Sequence, residues 1–310
     1  MALLLNFFFG KPDEWRQWFA AEMPELDVRV WPDTGNREDI DVVACGSLPE
    51  GAFKTFPNLR LVVSLLAGPD AILHDPAVPK DVPIVRAGDP AGDTMMNEVT
   101  LLHVLRHHRN MPAYAAAQQR AEWISLPRLP ARERKVGVMG LGAIGLAAAK
   151  TLKGIGFQVA GWVRTPRPAP DGIEVFAGKG QFPAFLARSE IVVNLLPITP
   201  ETENVLDAKA FAALPKGASV VNLGRGAHVV DADLIAALDS GHLAAATLDV
   251  FRKEPLPSDD PLWRHPKITV MPHASRRIEA RPMVPRICDA IRRLNAGRPL
   301  ENVVDRARGY

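Results

Sequence analysis

The stretch Lys135-Val-Gly-Val-Met-Gly-Leu-Gly-Ala-Ile-Gly145 constrains this chain more than any other. It opens with an apolar, partly β-branched run, the pattern of a strand buried on both faces of a parallel sheet. Gly140, Gly142 and Gly145 follow in G-x-G-x-x-G spacing, and Leu146-Ala-Ala-Ala-Lys-Thr-Leu-Lys continues with strong helix formers. Strand, glycine turn and helix in that order are what a dinucleotide site needs. Gly140 permits a tight turn, Gly142 lets a pyrophosphate approach the backbone, and Gly145 lets the helix pack against the strand. The N–H groups and dipole at the helix start favour negative phosphates.

The next strand, Phe157-Gln-Val-Ala-Gly-Trp-Val-Arg-Thr165, bears on which dinucleotide. In NAD-specific sites an acidic residue ends this strand and accepts from the ribose 2′-OH. No Asp or Glu stands between Leu146 and Pro170; Arg164 ends the strand, and Thr165 and Arg167 follow. A carboxylate would repel a 2′-phosphate, whereas a guanidinium binds one bidentately. The expected cofactor is NADP(H), with NADPH preferred over NADH.

On a prior of about 150 residues per domain, the 310 residues suit two domains. Ahead of the glycine motif, strands are expected at 3–9, 27–31, 40–45, 59–66 and 82–86, with a helix from Pro12 to about Met23 and a short one at 51–56. Strands alternating with helices imply a parallel α/β sheet of their own. Residues 94–109 read as a long, mostly apolar helix between the two α/β patterns, and so at their interface. Residues 111–134, rich in Pro, Arg and Ala, read as a connecting or subunit-contacting segment. Beyond the motif, strands are expected at 190–196, 218–223, 243–250 and 267–271, and helices at 181–187, 208–214, 231–240 and about 283–296. Gly241 suits a helix C′ position.

Net charge is +2, which points to neither nucleic acid nor an anionic membrane. Arg276, Arg277, Arg281, Arg286, Arg292 and Arg293 cluster near the end, in register with Ile287, Ile291 and Leu294 as a solvated helix face would be. Cys45 and Cys288 lack CxxC or zinc spacing and read as reduced core residues, which suits the cytoplasm. The apolar start, Met1 to Gly10, has no basic n-region or small-residue cleavage site and is too short to span a bilayer, so a buried strand is expected. His103 and His107 sit at i, i+4, but no Glu or Cys joins them at ligand spacing, so no metal is expected.

Arg225, Glu254 and His273 each follow the carboxyl end of an expected strand, where open α/β sheets bind ligands. Arg225, flanked by glycines, can hold a carboxylate in two parallel charge-assisted bonds. A histidine can give a proton to a carbonyl oxygen as hydride reaches the carbon. Glu254 beside His273 would stabilise the charged ring and fix its tautomer. Singly, each residue suits a structural role; their joint placement behind a dinucleotide motif favours chemistry.

Several motifs now stand in order: Gly140-Leu-Gly-Ala-Ile-Gly145, Asn194-Leu-Leu-Pro197, Asn222-Leu-Gly-Arg-Gly226, Leu248-Asp-Val-Phe251 with Glu254-Pro255, and Pro272-His-Ala-Ser275. Over nearly its whole length the chain resembles the D-isomer-specific 2-hydroxyacid dehydrogenase family. Glu254-Pro-Leu-Pro and the ending Val304-Asp-Arg-Ala-Arg-Gly-Tyr310 resemble its glyoxylate/hydroxypyruvate reductase A branch. The resemblance implies two Rossmann-like domains with parallel sheets and an active site in the cleft between them. A flavodoxin-like substrate-binding domain would comprise residues 1–98 plus 283–310, and an NADP-binding Rossmann domain 99–282. The implied reaction is NADPH-dependent reduction of small 2-oxoacids, glyoxylate to glycolate and hydroxypyruvate to D-glycerate.

The resemblance also implies roles. Arg225 would bind the substrate carboxylate, His273 would be the general acid with Glu254 its partner, and Leu66, Ala67 and Gly68 would line the substrate. Asp249 would contact the nicotinamide carboxamide. Ala143, Ile144, Leu196, Pro197, Thr202, Leu223, Gly224 and Ser275 would contact the cofactor, along with the three motif glycines, Arg164, Thr165, Arg167, Arg225 and His273. The family is usually a homodimer. Its long phosphoglycerate-dehydrogenase form carries a regulatory domain, which is not expected here. Two other readings stay open: a dehydrogenase for a bulkier 2-oxoacid such as phenylpyruvate, or for phosphite or formate; and a non-catalytic nucleotide-sensing module.

Overall fold

The computed structural model describes residues 1–309 apart from 8, 67, 89–93, 169 and 278. The chain divides into two compact units, Met1–Pro90 with Ile278–Tyr310, and Ala91–Arg277.

The first unit is built on a parallel sheet. Its elements are β1 (Ala2–Asn6), α1 (Pro12–Glu22), β2 (Asp27–Val30), β3 (Ile40–Cys45), β4 (Leu61–Ser64), α2 (Asp70–Leu73), β5 (Ile84–Arg86) and the C-terminal helix Val284–Asn295. The strand order is β2-β1-β3-β4-β5, and every pairing is parallel. Side chains alternate across β1. Leu3 and Leu5 face Trp15 and Phe19 of α1 and Ile287 and Ile291 of the C-terminal helix, while Ala2 and Leu4 face Phe53, Phe56 and Ile72. Each large side chain so buried contributes about 1.5–3 kcal/mol. This two-sided burial is why β1 reads as an unbroken apolar run.

β1 stops at Asn6, short of the expected residue 9. Phe7 and Phe9 leave the sheet to pack on Trp15, with ring centroids 5.2 and 5.9 Å away, and the Trp15 indole donates to the Phe9 carbonyl at 3.3 Å. Residues 51–56 hold a 3₁₀ turn, Ala52–Thr55, in place of an α-helix. The short α2 went unexpected, because four residues carry too little periodicity to read. Of the clustered arginines only Arg286, Arg292 and Arg293 lie on the C-terminal helix, where Arg292 meets Glu22 at 3.2 Å and Arg293 meets Asp289 at 2.6 Å; Arg276, Arg277 and Arg281 precede it. Cys45 and Cys288 are free and buried, and burial pushes their thiols up to about 12 and about 11.

The second unit contains α3 (Thr94–His108), α4 (Met111–Gln119), β6 (Lys135–Met139), α5 (Ala143–Ile155), β7 (Gln158–Val163), β8 (Glu174–Ala177), α6 (Gly178–Ala187), β9 (Ile191–Asn194), α7 (Ala208–Ala213), β10 (Ala218–Asn222), α8 (Asp231–Asp239), β11 (Leu243–Leu248) and β12 (Ile268–Val270). Its parallel sheet has the order β12-β11-β10-β9-β6-β7-β8. β6 lies between β9 and β7, so the winding direction reverses beside it. That switch point opens a crevice beyond the carboxyl ends of β6 and β9.

Here too the structure corrects some expectations. Residues 111–134 contain α4, whose Tyr114 hydroxyl accepts from Leu126 N at 3.2 Å and pins the following extended arm. β8 is an unexpected edge strand on β7; four residues beginning with Glu174 show no clear alternation. α6 starts three residues early, because Gln181 caps it from inside: its Oε1 accepts from Ala177 N at 2.6 Å. The unit boundaries fall at 90/91 and 277/278, where sequence placed them at 98/99 and 282/283. Met96 and Val104 explain the first shift, since they pack with Val136, Val138 and Leu152 and carry the whole of α3 with the second sheet.

His103, His107 and His108 of α3 are buried against that sheet. His107 Nε2 contacts Thr247 Oγ1 at 2.9 Å, and His103 Nε2 contacts the Met271 sulfur. Among the described residues, no helix is long and apolar enough to cross a membrane.

Candidate active site

The glycine turn after β6 has the shape its sequence requires. Gly140 takes φ +87°, a left-handed conformation costly for other residues. A Cβ on Gly145 would lie 1.8 Å from the Gly140 carbonyl, so the first turn of α5 rests directly on the strand end. A Cβ on Gly142 would meet nothing within 4 Å, which leaves open space above the turn at the N-terminus of α5. Ala143 and Ile144 begin that helix. Open space, exposed backbone donors and a helix dipole fit a pyrophosphate.

At the end of β7, Arg164, Thr165 and Arg167 are exposed. The Arg167 guanidinium donates to the Leu141 carbonyl at 2.5 Å, which brings this cationic segment onto the glycine turn. These residues fit a 2′-phosphorylated dinucleotide. On the other side of the switch point, Thr202 Oγ1 donates to the Pro197 carbonyl and accepts from Thr199 N, both at 2.8 Å. That shapes the loop after β9. Leu196 and Leu223 are buried beneath it.

Three further turns leave the carboxyl ends of β10, β11 and β12. The first carries Gly224-Arg225-Gly226. A Cβ on Gly226 would fall 1.8 Å from the Phe251 carbonyl carbon, so this turn sits directly on the backbone of the second. The second carries Glu254, whose Oε1 accepts from Phe251 N at 2.8 Å. Its Oε2 lies 2.7 Å from Nδ1 of His273 on the third turn. Nδ1 therefore carries a proton toward the carboxylate, and Nε2 is the ring nitrogen left to meet a substrate oxygen. Both side chains keep solvent access, at 35% and 55% exposure, so a ligand can reach them.

His273 takes φ +51°, rare for a residue with a Cβ. Asp249 holds it there. The Asp249 carbonyl accepts from His273 N at 2.8 Å, and its carboxylate accepts from Ala274 N at 2.8 Å and Ser275 N at 3.3 Å. Asp249 is buried, so these bonds are made in a low-dielectric setting where they count most. The Ser275 hydroxyl is buried, with no partner among the described residues. The residues expected at the substrate, Leu66 and Gly68, follow β4 in the first unit, where Ser64 Oγ accepts from Leu66 N at 3.3 Å; Ala67 lies outside the described residues.

Sequence reasoning overlooked a buried polar group beneath these turns. Asn194, Asn222 and His228 are fully buried and hydrogen-bonded to one another and to the backbone of Arg225. Arg252 went unread as well; it donates to the Val229 carbonyl at 2.7 Å and the Asn204 side chain at 2.5 Å. The one available signal was a polar Asn closing each of the apolar runs Ile191-Val-Val-Asn194 and Ser219-Val-Val-Asn222.

A doubly wound parallel sheet with a glycine turn at its switch point, and an Arg, a Glu and a His gathered on adjacent turns, defines a dinucleotide-dependent dehydrogenase. The chain belongs to the D-isomer specific 2-hydroxyacid dehydrogenase family: the model of the family's NAD binding domain matches residues 101–275. It is 37% identical to a glyoxylate/hydroxypyruvate reductase A of Serratia proteamaculans (strain 568), over 99% of this chain and 100% of that protein. Among solved structures it is similar to a D-isomer specific 2-hydroxyacid dehydrogenase from Xanthobacter autotrophicus Py2 in complex with NADPH and MES, at TM-score 0.92 and 43% identity, covering 100% of this chain and 99% of the other. It is also similar to an NADPH-dependent glyoxylate/hydroxypyruvate reductase from Sinorhizobium meliloti in complex with NADP and sulfate, at TM-score 0.90 and 34% identity, with 100% and 99% covered.

Proposed function

We propose that this protein reduces small 2-oxoacids, glyoxylate and hydroxypyruvate first, to glycolate and D-glycerate with NADPH. The observation that carries this is the 2.7 Å Glu254–His273 pair, which joins two turns beside the one that bears Arg225. Bound NADPH supplies the hydride to the C2 carbon. Arg225 holds the substrate carboxylate through its guanidinium and so orients the carbonyl. His273 gives the Nε2 proton to the carbonyl oxygen as it becomes an alkoxide, and Glu254 stabilises the imidazolium before transfer and fixes the ring. One hydride and one proton enter, and NADP and a 2-hydroxyacid leave.

Arg164, Thr165 and Arg167 recognise the 2′-phosphate, in keeping with the lack of any acidic residue between Leu146 and Pro170. Ala91–Arg277 serves the nucleotide; Met1–Pro90 and Ile278–Tyr310 serve the substrate, with Gly68 on the loop after β4 contributing a backbone N–H group. Asp249 and Ser275 stand on the nicotinamide side. The working form is a homodimer, supported by exposed Leu102, Met111 and Trp123 on α3, α4 and the arm that follows. The free cysteines suit the cytoplasm.

The test is loss of nicotinamide absorbance with each 2-oxoacid, NADPH and NADH in parallel. Fast oxidation of NADPH and slow oxidation of NADH is the expected result. Turnover of phenylpyruvate alone would move the substrate to bulkier acids. Tight NADPH binding without turnover of any 2-oxoacid would overturn the enzymatic reading.

A further inference from the structure

We propose that His228 is a positioning residue for Arg225, which it ties to the loop that follows β9. Its bearing on substrate rests on the 2-oxoacid reading above. The His228 ring is completely buried, and both its nitrogens have partners of fixed polarity. Nε2 lies 3.1 Å from the Pro197 carbonyl. A carbonyl only accepts, so Nε2 carries the proton. Nδ1 lies 3.1 Å from Arg225 N and 2.8 Å from the Asn194 amide nitrogen. Both of those groups donate, so Nδ1 is unprotonated. The two ends of the ring thus demand the same neutral tautomer.

The carbonyl of Arg225 is held by the same cluster. It accepts from Asn222 Nδ2 at 3.0 Å and from His228 N at 3.2 Å. Asn194 Nδ2 also meets Asn222 Oδ1 at 2.9 Å, and Asn194 Oδ1 accepts from Leu196 N at 3.1 Å. Hence both backbone polar groups of Arg225 are set by buried side chains. There is no slack around them: a Cβ on Gly224 would lie 3.1 Å from His228 Nδ1 and 3.0 Å from the Leu196 carbonyl.

The Pro197 end of the bridge reaches the nucleotide side. A Cβ on Gly140 would come within 3.0 Å of the Leu195 carbonyl and 3.2 Å of Leu196 Cδ2, so the loop after β9 is packed on the glycine turn. A continuous support therefore runs from Gly140 through Leu195–Pro197 and the His228 ring to Arg225. His228 keeps the substrate-holding guanidinium at a constant spacing from the nucleotide turn. Loosening it misplaces the substrate carboxylate without removing any group that touches substrate.

Two variants separate the ends of the ring. His228→Gln keeps an N–H that reaches Pro197 but removes the acceptor for Arg225 N. His228→Asn keeps an acceptor at the δ position and drops the Pro197 bond. The measurements are KM and kcat for glyoxylate, Ki for oxamate (an unreactive 2-oxoacid analogue), Kd for NADPH and Tm. One lost hydrogen bond corresponds to about a tenfold change. His228→Gln is expected to raise KM and Ki about tenfold, with kcat and the NADPH Kd changed far less. His228→Asn, which cuts the bridge at its Pro197 end, is expected to raise KM and Ki by a comparable factor, again with kcat and the NADPH Kd changed far less. If both variants lose Tm alike while KM and Ki stay at wild-type values, His228 is structural and the inference is overturned. If His228→Gln alone raises them, the bridge to Pro197 is overturned; if His228→Asn alone does, the link to Arg225 N is overturned. A wild-type protein that turns over no 2-oxoacid overturns the proposed function and this inference with it.

Discussion

At the residue scale, the proposed chemistry depends on side chains set on three neighbouring turns. Glu254 is bonded at both oxygens, to Phe251 N at 2.8 Å and His273 Nδ1 at 2.7 Å, so its carboxylate cannot swing away from the ring. We expect His273→Ala to lower kcat about 10²–10⁴-fold, the range for a lost general acid. Steady-state turnover with a 2-oxoacid checks this, and near-normal kcat would remove His273 from the reaction. Arg164→Ala should weaken NADPH much more than NADH in a fluorescence titration; equal weakening would end the 2′-phosphate role. Arg225, Glu254 and His273 were legible in the sequence because each follows an apolar strand run, and strand ends are where such sheets bind ligands. His228 was not legible, because its partners Pro197 and Asn194 lie 31 and 34 residues away. Asp249 was expected at the nicotinamide. Its bonds to Ala274 N and Ser275 N give it the further task of holding the His273 turn, and that depends on a contact 25 residues along the chain.

At the scale of elements, α3 carries three buried histidines whose neutral forms the fold favours. Burial first, then the charges of His103 and Arg106, push His107 down from 6.5 to about 3. His103 and His108 are also lowered, mainly by burial. A base with a depressed folded pKa is neutral in the native state while the unfolded chain takes up its proton. The stability it contributes is therefore complete above about pH 6.5 and is lost as pH falls toward about 3. The urea midpoint should fall steeply over that window, and His107→Gln should flatten the fall. An equally steep profile in the variant would assign the fall to other groups. The sequence marked α3 by its apolar length. It did not reveal that His103 and His107 meet Met271 and Thr247, because those partners, one just past β12 and one in β11, come more than a hundred residues later.

For the whole molecule, the two-unit plan was visible in the alternation of strands and helices and in the position of the glycine motif. The unit boundary was not, since α3 follows the sheet that buries Met96 and Val104. Among the described residues the most exposed large apolar side chain is Trp123, at 102% of its reference exposure, in an arm pinned to α4. An ordered arm that presents an indole to solvent suits a second copy of the chain. Sedimentation of the wild type should give a dimer, and Trp123→Glu with Met111→Glu should give a monomer that still binds NADPH. A monomeric wild type would remove the homodimer.

The sequence by itself determined the strands other than β8, the glycine turn, the missing acid after β7 and the three polar side chains proposed for the reaction. These are properties of neighbouring residues: periodicity, turn chemistry and charge at a strand end. Only the tertiary structure decided where β1 ends, that Gln181 sits inside α6, that Asp249 clamps the His273 turn and that His228 carries Arg225. Each of these is settled by which distant group fills a bond or a space, and a buried polar atom takes the partner that the packed fold brings to it.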